Sequence, residues 1–315
     1  MKKIKFENAV DEYLEISKLK LKMNSYRSMN NRIKNCILPY FKNKYIHKIN
    51  TRDYINWQLK ISKMNYSIRY KKNLHVCFVT FLNYCIKNYE IKQNVAQIVG
   101  NFKEIDYTEE KIHIWNIEMF NMYISKINNN DIIHKCIIEF LYLTGTRLGE
   151  ATALTFNDID FTNNTIHINK NMTRYVDSNG KRIITTPKTK KSIRTISFNN
   201  YIKSSLIELK QYYEKKYGYF KNELFIFGGI KAMSFTTLER KKNYYCKIAN
   251  VPQIKIHDLR HSHACLLFQN NVPIDEISFR LGHSSISMTT DIYLQFLPKQ
   301  EKRVLEALNS LSLTS

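Results

Sequence analysis

The chain has 315 residues, with 49 Lys and Arg against 27 Asp and Glu, a formal net charge of +22 at pH 7. That length allows two domains with cores of their own, and that charge predicts a polyanionic partner. No apolar run approaches the roughly 18 residues of a membrane span, since Glu139 interrupts even CIIEFLYL, and no signal peptide is read; the expectation is a soluble protein of the cytoplasm. The six cysteines, Cys36, Cys77, Cys85, Cys136, Cys246 and Cys265, show no CxxC spacing and sit mostly among apolar residues. They read as buried free thiols, with neither a disulfide framework nor a metal site. The charge is uneven: residues 1–105 hold 21 basic against 7 acidic side chains, a net of +14, and the rest hold 28 against 20, a net of +8. A genome-wide codon bias towards Lys and Asn would not load the first third in this way, so a nucleic-acid partner is expected.

Residues 5–100 read as successive helices. Phe6, Val10, Tyr13, Leu14 and Ile16 follow helical spacing. A second helix is expected from Ser25, with Tyr26, Met29, Ile33, Cys36 and Ile37 inward and Pro39 ending it. Asn50 and Thr51 cap a third, carrying Tyr54, Ile55 and Leu59, and a fourth runs from Ser67 to Tyr89. These make a small bundle, domain 1–103, with outer faces rich in Lys and Asn. The acidic, polar stretch 104–111 reads as a linker, and a second domain spans 112–315.

In the second domain, helices are expected over Glu118–Ile127 and Asp131–Leu143. Gly145 then makes a turn and Arg147 starts a new helix, where its fork and free backbone N–H groups suit an anion. Three β-branched runs follow, at 164–170, 182–187 and 192–198. The Asp177–Gly180 turn is expected to join the first two, and the Lys188–Lys191 turn to be a hairpin tip between the last two. The fold class is therefore mainly α with a small antiparallel β-sheet (α+β). Leu224–Phe227 is a short apolar segment, and Ser234 begins a helix through Tyr244–Ala249. His257 and Arg260 share a helix face, Gly282 turns the chain into His283, and Ser284 or Ser285 caps a helix that carries Tyr293. Past Pro298 a last amphipathic helix includes Val304, Leu305 and Leu308.

Metal-free cleavage of a phosphodiester needs charge neutralisation, a placed nucleophile and a proton for the leaving alkoxide. Arginines supply the first, histidines and a mobile lysine move protons, and a tyrosine is a competent nucleophile. Asp158 and Asp160 lack the acidic partners of a two-metal nuclease, and no P-loop is present, so neither a metal nor a nucleotide cofactor is expected.

LTGTRLGEATALTFNDIDF, TPKTKKSIRTI, HDLRHSHA and LGHSSISMTTDIY, in this order, resemble the catalytic domain of the tyrosine recombinases, the phage-integrase family. The basic bundle in front resembles that family's core-binding domain. The resemblance implies a site-specific DNA recombinase acting through a covalent 3′-phosphotyrosine. Arg147 and Arg260 would clamp the phosphate, and Lys188 (or, less in keeping, Lys190) would be the general acid. His257 would assist proton transfer, His283 would bond the phosphate or place the tyrosine, and Tyr293 would attack. Glu150 would buttress the site, and His261 and His263 read as structural. It further implies double-stranded DNA with specific core sites, a homo-tetramer, accessory DNA-bending or excision proteins, and a C-terminal helix docked on a neighbour. The DIYLQF and PKT contexts resemble integrases of phages and conjugative transposons, hence a mobile element, more than chromosome-dimer resolvases. Many such integrases carry an arm-binding domain before the bundle, whereas this chain starts at the bundle. The alternatives are a type IB topoisomerase-like enzyme, a chromosome-dimer resolving recombinase, and a non-enzymatic DNA-binding protein on a decayed scaffold.

Overall fold

The first helix, α1 (Phe6–Lys20), buries Phe6, Ala9, Val10, Tyr13 and Leu14 along the stripe that the apolar spacing marks out. The structure is a computed structural model, and it describes residues 3–89, 91–103, 113–187, 192–283, 285–287, 290, 305 and 308–309. Contacts divide the chain into two units, Met1–Glu109 and Glu110–Ser315. The expected linker 104–111 lies outside the described residues.

In the first unit, α2 (Met23–Arg32) passes through a π turn, Ile33–Ile37, into α3 (Leu38–Phe41). Pro39 therefore does not end the second helix as expected. It lies in the first turn of α3, where a missing N–H costs nothing, and the wide π turn before it absorbs the change of register. Asn50 caps α4 (Thr51–Ser62): its side chain accepts from the Asp53 N–H, and the Asp53 carboxylate accepts from the Asn50 N–H. The buried face of α4 is Tyr54, Trp57 and Ile61, whereas Ile55 and Leu59 are exposed. The longest helix, α5 (Ile68–Tyr89), and the short α6 (Val95–Val99), capped by Asn94, close the bundle. Phe78 is its centre, edge-on to Phe6 and Trp57 at 5.9 and 5.2 Å and against Phe41 and Tyr54 at 5.1 and 5.3 Å.

The second unit is built on α8 (Ile132–Thr144), buried along most of its length and preceded by α7 (Ile117–Ser125). Such an all-round apolar helix belongs at the centre of a domain. It is followed by the short α9 (Leu148–Ala153). Two small antiparallel sheets follow. One has the order β1 (Ile159–Asp160), β2 (Thr165–Ile168), β5 (Arg194–Ser197), with Ile166 opposite Ile196 and Ile168 opposite Arg194. The other is the hairpin β3 (Asn171–Val176) and β4 (Arg182–Thr185). The pairing differs from the expected one. The 177–180 turn joins β3 to β4, with the Asp177 carboxylate accepting from the Asn179 and Lys181 N–H groups. Residues 171–176 were not among the expected strands; Asn171 and Arg174 break the β-branched run there, and the cross-strand ladder makes the strand. Strands β4 and β5 belong to different sheets and are not paired with each other; the expected turn Lys188–Lys191 lies outside the described residues.

Beyond the sheets, α10 (Asn200–Tyr217) is capped by Asn199 and ends at left-handed Gly218; the reading of the sequence passed over it. Then come α11 (Phe235–Ile248), α12 (Asp258–Gln269) and α13 (Ile274–Leu281). Ser234 precedes α11 without capping it, because its hydroxyl accepts from Arg182 instead. All six cysteines are buried free thiols. No helix among the described residues is long and apolar enough to cross a membrane. Phe78→Ala is expected to destabilise the first unit by about 3–5 kcal/mol, as for other fully buried aromatics. Urea unfolding followed by tryptophan fluorescence measures it, and a loss below about 1 kcal/mol would contradict a centre at Phe78.

Candidate active site

Four of the six expected site residues lie among the described residues, and all four converge where α8, α12 and α13 meet. Helix α8 ends at Gly145 in the left-handed region (φ +67°), and a Cβ there would stand 2.5 Å from the His263 ring and 2.6 Å from Leu281. Only glycine lets α12 and α13 approach this turn so closely. Arg260, in the first turn of α12, is buried: its Nη1 donates to the Gly145 carbonyl at 2.9 Å and its Nη2 to the Leu281 carbonyl at 2.7 Å. Its guanidinium thus ties the end of α8 to the end of α13, and its other N–H groups have no partner among the described residues.

Arg147 stands at the start of α9 with its side chain 32% exposed. Its Nη1 donates to Glu150 Oε1 at 2.8 Å and its Nη2 to the Gly282 carbonyl at 3.3 Å. Glu150, the acid of the RxGE sequence, also accepts from the Arg147 backbone N–H (3.0 Å) and from Nη2 of Arg194 (3.0 Å). Burial alone would raise the Glu150 pKa, but Arg194 first and then Arg147 hold it below the ordinary carboxylate value. Among the described residues Glu150 is the one carboxylate bonded to these arginines. Two guanidinium groups, Arg147 and Arg260, therefore meet the same Leu281–Gly282 backbone, and the one carboxylate beside them is divided between Arg147 and Arg194. Burial and Arg147 lower the Arg260 pKa, which is the expected signature of a cation lacking an anion.

The histidines surround this pair. His257 precedes α12, and its ring meets that of His261 edge-on at 5.0 Å. Burial first, then Arg260 and Arg147, lower the His257 pKa. His283 is buried just past Gly282, and burial with the same two arginines pushes it down to about 3. Both rings are neutral near pH 7, as a proton acceptor should be. His263 is structural: Arg280 Nε donates to its Nε2 at 3.1 Å, so Nδ1 carries the proton and donates to the Tyr142 carbonyl at 2.9 Å. His261 lies on the His257 side of the helix, and its buried Nδ1 has no partner among the described residues. Lys188 and Tyr293 lie outside the described residues, as do Ser284 and most of the segment after 290. The described residues contain no cluster of His, Cys, Asp or Glu able to hold a metal ion. Asp158 is taken up by Thr155 and Lys170.

Sequence reasoning alone misses Arg194 and Arg280. Arg194 sits in a β-branched run, and Arg280 in an amphipathic helix where a surface role is the ordinary one. Arg280 binds the Ser197 carbonyl and His263.

The site thus joins two converging arginines and neutral histidines on a helical scaffold with a small sheet. Residues 116–300 match the phage integrase family, and residues 5–62 match the phage integrase N-terminal SAM-like domain. The chain belongs to the phage integrase family, and it is a tyrosine recombinase, an enzyme of site-specific recombination. It is similar to the ICEBs1 integrase of Bacillus subtilis (strain 168), 28% identical over 313 residues, covering 98% of this chain and 83% of the relative. It is also similar to a XerC-like tyrosine recombinase of Caldanaerobacter subterraneus subsp. tengcongensis, 33% identical over 307 residues, covering 89% and 75%. The fold matches the Tn1549 transposon integrase solved with transposon right-end DNA, TM-score 0.79 at 17% identity, covering 98% of this chain and 100% of that one. A lambda integrase dimer bound to a core site matches at TM-score 0.66 and 15% identity, covering 92% and 77%.

The lowered histidines set a pH dependence. In the fold His261 is pushed to about 4 and His263 and His283 to about 3, all below the ordinary value, so the unfolded chain binds protons first as the pH falls. Their contribution is complete above about pH 6.5 and is lost as the pH falls through the folded values. His263→Gln should therefore flatten the fall of unfolding free energy between about pH 6 and pH 4 by up to about 1.4 kcal/mol per pH unit. Urea titrations at stepped pH measure the slope, and equal slopes for variant and wild type would contradict a neutral buried His263.

Proposed function

We propose that the cluster at Arg147, His257, Arg260 and His283 is the phosphate-binding part of the strand-transfer site, completed by Lys188 and Tyr293. The supporting observation is the convergence of Arg147 and Arg260 on the Leu281–Gly282 turn, beside Glu150, a single carboxylate already shared by Arg147 and Arg194. A scissile phosphate would supply the missing negative charge, and the arginine forks match its oxygens in geometry. His257, neutral beside two guanidinium groups, takes the tyrosine proton, and His283 donates to a phosphate oxygen. Tyr293 Oη bonds to phosphorus, the bond from phosphorus to the 5′ oxygen breaks, and Lys188 gives that oxygen its proton. The 3′-phosphotyrosine keeps the ester energy, so a 5′ hydroxyl from another strand reverses the step without a nucleotide cofactor or a metal.

On this reading residues 1–103 are a core-binding domain gripping duplex DNA through the Lys-rich face of the bundle, and 112–315 are the catalytic domain. The reaction is the integration or excision of a mobile element, carried out by a homo-tetramer on paired core sites in the bacterial cytoplasm, with accessory DNA-bending or excision proteins. The likeness to the ICEBs1 integrase along nearly the whole chain supports the mobile-element role.

Tyr293→Phe is expected to abolish the covalent protein–DNA adduct on a nicked substrate while DNA affinity stays within about twofold of wild type. Adduct formed by that variant, read on a denaturing gel, would rule out this nucleophile. Cleavage is also expected to proceed unchanged in EDTA; a strict need for a divalent ion in single-turnover cleavage would overturn the mechanism.

A further inference from the structure

Arg194 is a buried cation that the strand-transfer chemistry leaves without a task. Its side chain is 2% exposed, so it cannot meet DNA. Each of its nitrogens is occupied: Nε donates to the Arg280 carbonyl at 2.7 Å, Nη1 to the Ser192 carbonyl at 3.1 Å, and Nη2 to Glu150 Oε2 at 3.0 Å. Two of those partners lead to Arg147. Glu150 gives its other oxygen to Arg147 Nη1, and the Arg280 carbonyl lies two residues before Gly282, whose carbonyl receives Arg147 Nη2. Gly282 (φ +67°) also rests on the Arg194 guanidinium, since a Cβ there would be 3.1 Å from Nη1. One end of the Arg147 fork thus stops on the carboxylate that Arg194 binds, and the other on a turn that Arg194 packs against.

We infer that Arg194 is a positioning residue for strand cleavage, fixing the Arg147 guanidinium by sharing the Glu150 carboxylate and holding the α13–Gly282 turn. The charge is required for the sharing. A carboxylate that is 3% exposed demands its full set of donors, and an apolar residue at 194 would leave Glu150 with Arg147 alone. Glu150 would then take both Nη groups of Arg147 in a bidentate pair and draw the fork off Gly282. The cation would remain, but out of place for the phosphate. Displacements of about 1 Å in a positioned group cost on the order of 100-fold in rate.

The inference rests on the reading of Arg147 as the phosphate clamp, and one experiment separates the two. The probe is a nicked suicide duplex carrying a site selected by covalent trapping on the wild-type protein from a random-sequence library. It is made with an ordinary scissile phosphate and with a methylphosphonate, in which a methyl group replaces one oxygen and removes the negative charge. Wild type, Arg147→Ala, Arg194→Met and Arg194→Lys are compared in single-turnover cleavage, with DNA affinity and melting temperature measured beside it. On phosphate, Arg147→Ala and Arg194→Met should both fall on the order of 100-fold, with DNA affinity within about twofold. On methylphosphonate, where no charge is left to neutralise, both should come within about threefold of wild type. Arg194→Lys, a cation with a single nitrogen, should recover about tenfold of the loss. If Arg147→Ala is not rescued by methylphosphonate, the clamp reading fails and this inference with it. If Arg147→Ala is rescued while Arg194→Met stays slow, or if Arg194→Met cleaves phosphate like wild type, the positioning role alone is overturned. Loss of folded protein in both Arg194 variants would make the residue a brace of the fold and overturn the role as well.

Discussion

The site depends on a carboxylate kept almost without water. Glu150 reaches two guanidinium groups, one buried and one half-exposed, and also takes the N–H that opens α9. Removing such a charge from water costs several kcal/mol unless its partners are in place. The need for those partners is therefore what fixes β5, α9 and the end of α13 relative to one another. The same carboxylate leaves its neighbourhood short of negative charge: Arg147 and Arg194 share it, and among the described residues Arg260 is held by main-chain carbonyls alone. A fold that needs Glu150 for its own stability is thereby left with a standing demand for one more anion on the Arg147 side.

Gly145 and Gly282 complete the constraint from the backbone. Each adopts a positive φ at the end of a helix, and each hands its carbonyl to an arginine: Gly145 to Arg260, Gly282 to Arg147. The helix ends thus supply carbonyl acceptors where the C-terminal partial negative charge concentrates. That charge orients the guanidinium groups without neutralising them, so the forks are pre-set for a ligand rather than satisfied.

Most of the helices, and Arg147 and Arg260 at helix starts, were legible because they depend on local rules. Asn50 and Asp53 form their capping box from neighbouring residues alone, and Gly145 before Arg147 marks a helix end and a helix start. The apolar stripe of α1 needs nothing beyond its own spacing. What was not legible depends on partners distant in sequence. The strand 171–176 has weak propensity and exists through its ladder to 182–185, while 164–168 pairs with 194–197 across some thirty residues of intervening chain. Pro39 was misread because a π turn, which no residue pattern announces, shifts the register before it. Helix α10 was passed over despite Asn199 and Gly218 at its ends, since its interior mixes Lys, Tyr and Ser with the buried Ile202, Leu206 and Leu209. Arg194 occupies a position where alternation predicts an inward apolar residue. Nothing short of Glu150 and Arg280, 44 and 86 residues away, could show why it is an arginine.

The separation of roles between charged and neutral groups follows from the same geometry. Histidines set among arginines at this burial cannot keep a second proton, since each would add a cation to a cluster already short of anions. His257 and His283 are therefore acceptors or neutral donors, and positive charge is left to guanidinium groups that hold it at any working pH. A phosphodiester seated on the proposed clamp would add one negative charge and weaken the positive local field, so the same histidines would become easier to protonate. A neutral His257 would accept a proton more readily once the phosphate is seated than before it. On the proposed reading, the strength of the base would rise as the substrate phosphate is seated, through the same charges that bind it.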